Sequence, residues 1–237
     1  AYELKKGSSH SPGPPLTSFT NCVHRRCTSI HNSDGSAGVR HNPVPRMPTR
    51  DEMGGMDIEI ARLDPEVFRD RLPEALAVYV DAMGYPPQVI RSRAAAWMEH
   101  SHRVGWSGVA AFETRRRLLG HSRGAPGQWW YEQVARGIRA RGLELPRDFV
   151  ELTELHVSPA HQARGIGRAV LREFLADRTE KTVLLSTPEA EREDNGAWRL
   201  YRSLGFTDVL RSYRFDGDAR PFAVLSRSLP LTDGEPR

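Results

Sequence analysis

One stretch limits what this chain can fold into more than any other: Glu151 to Arg168, E-L-T-E-L-H-V-S-P-A-H-Q-A-R-G-I-G-R. Val150, Leu152, Leu155 and Val157 alternate with polar residues as a half-buried strand does, but the parity slips once, between Leu152 and Leu155. Successive strand side chains point to opposite faces, so the slip predicts a bulge there. Pro159 has no N–H to give to a ladder, and the strand ends by Ser158. Gly165 and Gly167 then stand where a helix begins, and Ile166, Val170, Leu171, Phe174 and Leu175 recur at helical spacing. The first N–H groups of a helix lack intrahelical partners and carry partial positive charge, and glycines there let an anion approach the backbone. Arg164 and Arg168 flank the turn, and Leu155 to Arg168 contains no Asp or Glu. A phosphate or pyrophosphate suits such a turn. An ordinary loop with solvated arginines would read the same.

Two familiar phosphate loops are excluded. The chain lacks G-x-x-x-x-G-K-[ST], and Val170 stands where a dinucleotide fingerprint needs a third glycine or alanine. Instead, Gln162-Ala163-Arg164-Gly165-Ile166-Gly167 resembles the Q/R-x-x-G-x-G/A acyl-CoA pyrophosphate loop of the GNAT N-acetyltransferase superfamily. It follows Leu155-His156-Val157-Ser158-Pro159, an L-x-V-x-P strand end usual in that family. A second block, Ala197 to Phe206, resembles the family's A-x-x-L-Y-x-x-x-G-F helix. The resemblance spans residues 57–229 and is sharpest over 150–206.

The resemblance implies an α/β GNAT fold: a mixed, mostly antiparallel sheet flanked by helices, its fourth and fifth strands splayed. Acetyl-CoA would be the acyl donor, its pantetheine arm lying in the gap. The backbone of Leu155, His156 and Val157 would pair with that arm. Gln162 and the turn Ala163, Arg164, Gly165, Ile166, Gly167 and Arg168 would hold the pyrophosphate. The family often places Asn seven positions before its tyrosine, against the arm; here Asp194 stands there, with Asn195 beside it.

The chemistry then sets roles. A primary amine is protonated at neutral pH, so a base must take its proton. Glu151 is the first candidate, Glu154 the second and His156 the third, each equally readable as a strand-face group in water or a salt bridge. Tyr201 matches the family tyrosine near the thioester sulfur, and a phenol of pKa about 10 can donate to the departing thiolate. Residues 53–237 contain no cysteine, so direct attack in a ternary complex is the expected scheme. The acceptor is read as the amine of a small molecule, with Trp129 and Trp130 as an aromatic wall or as ordinary packing. A protein N-terminus or lysine is the alternative, as is a non-catalytic acyl-CoA sensor.

Around this core the pattern reads β-α-α-β-β-α-β-α-β-α-β-β. The expected elements are strands at 57–62, 106–112, 118–121, 182–186, 209–215 and 222–229, and helices at 65–82, 88–100 and 128–141. Residues 1–52 are a different material, rich in Gly, Ser, Pro and Asn without apolar periodicity, and are expected to be a disordered leader, with Met53 or Met56 as the functional start. The domain is placed at 53–231 and a loose tail at 232–237. The leader's Cys22, His24, Cys27 and His31 could ligate zinc but lack apolar surroundings, so no metal is expected. These two cysteines are the only ones, which fits a reducing cytoplasm. The net charge is +4, of which +3 lies in residues 1–52 (seven Lys/Arg against four Asp/Glu), arguing against a nucleic-acid face. No apolar run approaches the ~18 residues that span a membrane. A homodimer is compatible with this reading.

Overall fold

The alternation of Ile58 and Ile60 makes the edge strand β1 (Ile58–Leu63), which pairs antiparallel with β2 (Ser107–Glu113), and β2 with β3 (Arg117–Gly124). The coordinates are a computed structural model and describe residues 57–113, 117–124 and 128–231, without the side chains of Gln128 and Trp129. The leader with its Cys/His pattern, Met53, Met56, Arg115, Arg116 and the tail from 232 lie outside the described residues.

Between β1 and β2 run α1 (Pro65–Met83) and α2 (Val89–Ser101). Asp64 caps α1 by accepting from the N–H groups of Glu66 and Val67. Pro65 sits in the first turn, where a missing N–H costs nothing, and Gly84 closes the helix at φ 63°. Phe68, Leu72, Leu76 and Tyr79 recur at helical spacing as one stripe and pack with Trp97 against Leu63, Ala110, Phe112 and Leu118. Burial of each such side chain contributes about 1.5–3 kcal/mol.

The predicted bulge is a full break. The expected fourth strand is two, β4 (Phe149–Leu152) and β5 (Glu154–Val157), parted at Thr153. β5 pairs antiparallel with β3, while β4 pairs parallel with β6 (Thr182–Pro188). β6 pairs with β8 (Phe222–Ser228), and β8 with β7 (Thr207–Tyr213). The described strands thus make two four-stranded sheets, β1-β2-β3-β5 and β4-β6-β8-β7, that share the 149–157 segment. Gly124 permits the close seam between them: a Cβ there would meet the Glu151 carbonyl oxygen at 1.9 Å.

Three helices complete the layers: α3 (Gln128–Arg139), α4 (Ile166–Leu175) and α5 (Gly196–Ser203). Val170, Phe174, Trp198 and Tyr201 of α4 and α5 cover one face of both sheets in a single core with Val109, Leu155, Val157, Leu185 and Leu225. On the opposite face α1 and α2 cover the first sheet, and α3 covers the second through Trp130, Val134 and Ile138. This is the three-layer α/β sandwich expected of the GNAT fold. β3 continues past the expected end at His121 as far as Gly124, and that extension carries part of the site. Among the described residues no helix is long and apolar enough to cross a membrane.

Candidate active site

The anion turn follows β5 directly. Pro159–His161 form one 3-10 turn, Gln162 returns to extended backbone, and its Nε2 donates to the Val157 carbonyl at 3.0 Å. Ala163 (φ 61°) and Gly165 (φ 79°) are both left-handed. For alanine that conformation costs about 1–2 kcal/mol, and nothing in the sequence announces it. Such alternation curls successive N–H groups toward one point, a concavity that holds anions. The first α4 turn closes with Ala169 donating to Gly165, which leaves the earlier N–H groups at the open helix end. Arg117 and Arg164 both act on His161, whose pKa is lowered by burial first and then by these two cations. The Arg168 guanidinium turns instead to Ser203 Oγ, at 2.6 Å.

A wedge opens beside this turn. β5 ends one sheet and β4 begins the other, and β6 runs on to Pro188 beyond Leu185, its last partner for β4. From Thr153 onward, the outer edge of β5 and the end of β6 therefore diverge with no described strand between them. An extended amide-bearing arm fits such an edge by adding main-chain hydrogen bonds. Leu155, His156 and Val157 supply that edge.

α5 forms one wall of the wedge. Asn195 caps it, Oδ1 accepting the Trp198 N–H at 2.9 Å, and Trp198 Nε1 donates to the Pro188 carbonyl at 3.0 Å. The Asn195 Nδ2 is buried with no partner among the described residues. An orphan donor costs about 1–3 kcal/mol, so this atom fits a ligand amide or carbonyl better than it fits the chain alone. Asp194 instead pairs at the surface with Arg199. Tyr201 is wholly buried on α5, its ring 5.5 Å from that of Phe206.

The opposite wall is polar. The register pairs Arg123 with Glu154 and His121 with His156, so all four face α1 and α2 while Leu155 and Val157 enter the α4 core. Because the break at Thr153 resets parity, Glu151 lies on this same side, opposite the cores that hold Val150 and Leu152. Both carboxylates are buried.

Glu154 Oε1 accepts from Arg123 Nη2 at 3.3 Å, and its Oε2 lies 2.6 Å from His156 Nε2. Arg123 also donates from Nη1 to His100 Nδ1, and its guanidinium lies 4.3 Å over the Trp97 ring. Burial pulls the Arg123 pKa down to about 10, against the opposing pull of Glu154, and leaves it cationic. His121 donates from Nε2 to the Ala75 carbonyl at 3.2 Å. Burial, then His156 and Arg123, push its pKa well below the usual value, so it is neutral. Burial, then the charge of Glu154, raise the Tyr79 phenol.

Arg123, His100 and His121 escaped the sequence reading, in which Tyr79 was only part of the apolar face of α1. A signal existed: His121 and Arg123 are polar at alternate positions of a strand running into Gly124, which marks one polar, interior face.

A bridge spans the wedge on that side. Tyr85, on the α1–α2 turn, packs 5.5 Å from Tyr79, and its hydroxyl accepts from Arg220 Nη1 at 3.0 Å. Arg220 precedes β8, is paired with Asp218 at 2.6 Å and lies over Phe222, the residue opposite Pro188. Trp130 lies elsewhere: its ring is in the α3 core and its Nε1 donates to Ser186 Oγ at 3.1 Å. Tyr131, next along the aromatic run, is half-exposed and stacked on Phe149. An open recess of about 350 Å³ beside α1 is lined by Glu74, Asp81, Arg117 and Ser158, among others.

Comparison with known proteins agrees with this geometry. Residues 125–208 match the acetyltransferase (GNAT) domain family. The chain is 45% identical over 206 residues to the GCN5-like protein acetyltransferase Rv2170 of Mycobacterium tuberculosis, covering 74% of this chain and 100% of that protein. It is 39% identical over 84 residues to the N-alpha-acetyltransferase RimI of the same organism, covering 34% of this chain and 51% of that one. Among solved structures, a putative GNAT acetyltransferase from Desulfovibrio desulfuricans superposes with TM-score 0.54 at 16% identity, over 72% of this chain and 98% of that chain.

Proposed function

The chain belongs to the GNAT acetyltransferases, and from that premise we propose that it transfers the acetyl group of acetyl-CoA to an amine on a protein. The observation that carries the donor is the wedge, with an anion-holding turn at one end and, on its wall, a buried Asn195 Nδ2 that has no hydrogen-bond partner among the described residues. In this reading the turn from Gln162 to Arg168 holds the pyrophosphate, the β5 edge from Leu155 to Val157 and Asn195 hold the arm, and Tyr201 protonates the departing thiolate. The amine arrives from the other wall, where Glu151, Glu154 and His156 offer the groups that take its proton. One proton of the ammonium goes to that wall. The nitrogen then attacks the thioester carbon, the C–S bond breaks, and a second proton leaves the new amide nitrogen as the thiolate becomes CoASH.

The protein acceptor is favoured by the relative matched over its whole length, whose name is that of a protein acetyltransferase. A small-molecule acceptor leaned on an aromatic wall, and the Trp130 ring is committed to the α3 core. The recess beside α1 is open, which suits an acceptor presented on a larger body. The test is calorimetric titration of acetyl-CoA into the full chain, followed by CoA release with three acceptor sets: lysine-bearing peptides, peptides with a free N-terminus and small polyamines. Binding with peptide-dependent release is expected. A folded chain that does not bind acetyl-CoA would overturn the reading, and turnover with polyamines alone would return the acceptor to small molecules.

A further inference from the structure

We propose that His156 Nδ1 is the atom that receives the acceptor's proton, with Glu154, Arg123 and His100 as positioning residues that hold the imidazole in the tautomer this requires. The proposal deepens the acetyltransferase reading above and rests on it.

The argument begins with which atoms are occupied. Both oxygens of Glu154 are engaged, one by Arg123 and one by His156. An ionised carboxylate only accepts, so His156 Nε2 must carry the hydrogen of the 2.6 Å contact. The proton-free nitrogen is then Nδ1, and it has no hydrogen-bond partner among the described residues although the ring is wholly buried. A carboxylate that fixes one imidazole nitrogen as a donor leaves the other as a base and stabilises the imidazolium once it forms. Arg123 donates to the other Glu154 oxygen, and His100, accepting from Arg123 through Nδ1, keeps the guanidinium in place above Trp97.

The neighbours agree. The groups facing this ring are Tyr79 from α1, with Arg93 over the Tyr79 ring from α2, and His121 and Arg123 from β3 beside Glu154 of its own strand. His121 is neutral and already donates to Ala75, so it does not compete for the proton. The Thr153 hydroxyl and the His121 Nδ1 are likewise buried without hydrogen-bond partners among the described residues, so the surroundings of His156 are polar and unsaturated. Glu151 sits one step back, where β4 is still paired with β6, whereas His156 lies on the part of the segment that borders the wedge.

The step balances: the ammonium gives one proton to Nδ1, the imidazolium is paired with the Glu154 carboxylate, and the free amine forms the C–N bond. After product leaves, the imidazolium returns its proton to solvent.

The test is His156→Gln in the full chain, because the Gln amide can still donate to Glu154 but cannot take a proton. The expected result is kcat lower by about 10²-fold with acetyl-CoA affinity unchanged. The rate of the variant should rise log-linearly with pH, since only amine already deprotonated in solution reacts. Two results overturn the proposal: a wild-type rate, or a lowered rate that keeps the wild-type pH profile, which would hand the proton to Glu151. Nitrogen-15 spectra of the imidazoles in the wild-type chain give a reading independent of the variant's folding. His156 should appear as the Nε2–H tautomer at neutral pH, and an Nδ1–H tautomer would overturn the proposal. Loss of acetyl-CoA binding by the wild-type chain is a distinct failure, that of the acetyltransferase reading itself.

Discussion

Removing Arg123 and Glu154 together should cost far less than the two separate losses added. The side chains of both are at 0% exposure, and the pair is joined at 3.3 Å. Arg123→Met leaves the Glu154 carboxylate buried with only His156 as donor, and it also removes the donor to His100 and the stacking on Trp97. Breaking a buried pair from one side costs about 3–5 kcal/mol, because the surviving charge has left water without compensation. Glu154→Gln strands Arg123 in the same way and should cost a similar amount. Independent sites would therefore give about 6–10 kcal/mol for the double variant. In Arg123→Met/Glu154→Gln neither charge remains, so the uncompensated burial disappears from both sides. What is left is lost packing and hydrogen bonding, about 2–4 kcal/mol. The coupling energy should then exceed about 2 kcal/mol. Urea unfolding of the four proteins, with unchanged slopes, measures it. Additivity within about 0.5 kcal/mol would refute the argument, because it would mean that each charge is already solvated in the native chain.

Asn195→Asp keeps an oxygen to cap α5 but replaces the orphan Nδ2 donor by an acceptor, so stability should hold while acetyl-CoA affinity falls about tenfold; Asn195→Ala should lose both, with about 1 kcal/mol of stability. Calorimetry with both variants separates cap from contact. Tyr201→Phe should lower kcat with little change in acetyl-CoA affinity, and an unchanged kcat would remove the phenol from thiolate protonation. Glu189 and Glu193 have pKa values held below normal by Arg211 and Arg202 respectively, so their stabilising contribution is complete above the unfolded Glu value of about 4.3 and is lost as pH falls through the depressed folded values. Urea midpoints from pH 7 to pH 3 should therefore drop less steeply in Glu193→Gln than in the wild type. Arg220→Ala releases Tyr85 from the bridge and should change KM for the amine without changing acetyl-CoA affinity.

The features legible in the sequence were those encoded over short distances. Strand parity between Leu152 and Leu155 announced an irregularity, which is the break at Thr153, and apolar spacing placed the first helix at 65–82, close to the observed Pro65–Met83. The glycines announced the turn before α4, although not the left-handed Ala163, which the surrounding fold imposes on a residue with no preference for it. The polar wall was less visible because it is assembled across several elements. His100 of α2, Arg123 of β3 and Glu154 of β5 are brought together by pairing and packing between residues up to 54 positions apart in sequence. Read singly, each is an ordinary charged or titratable residue.

That assembly also explains why the two walls of the wedge differ. One turn of parity decides it. With an unbroken strand, Val150 and Leu152 would share a face with Glu154 and His156, and burying the apolar pair in the α4 core would have driven a carboxylate and an imidazole into it too. The extra residue at Thr153 sends Leu155 and Val157 to that core instead and delivers Glu151, Glu154 and His156 together to the opposite side. The same break ends the pairing of this segment with β6 and so opens the gap that an acyl-CoA arm needs. A single irregularity thus makes the cleft and sorts its two faces. Deleting Thr153 would leave Val150, Leu152, Leu155 and Val157 alternating on one face of an unbroken strand, so the chain should still fold but lose the gap and, by calorimetry, acetyl-CoA binding, whereas Thr153→Ser, which keeps the count, should bind as the wild type does.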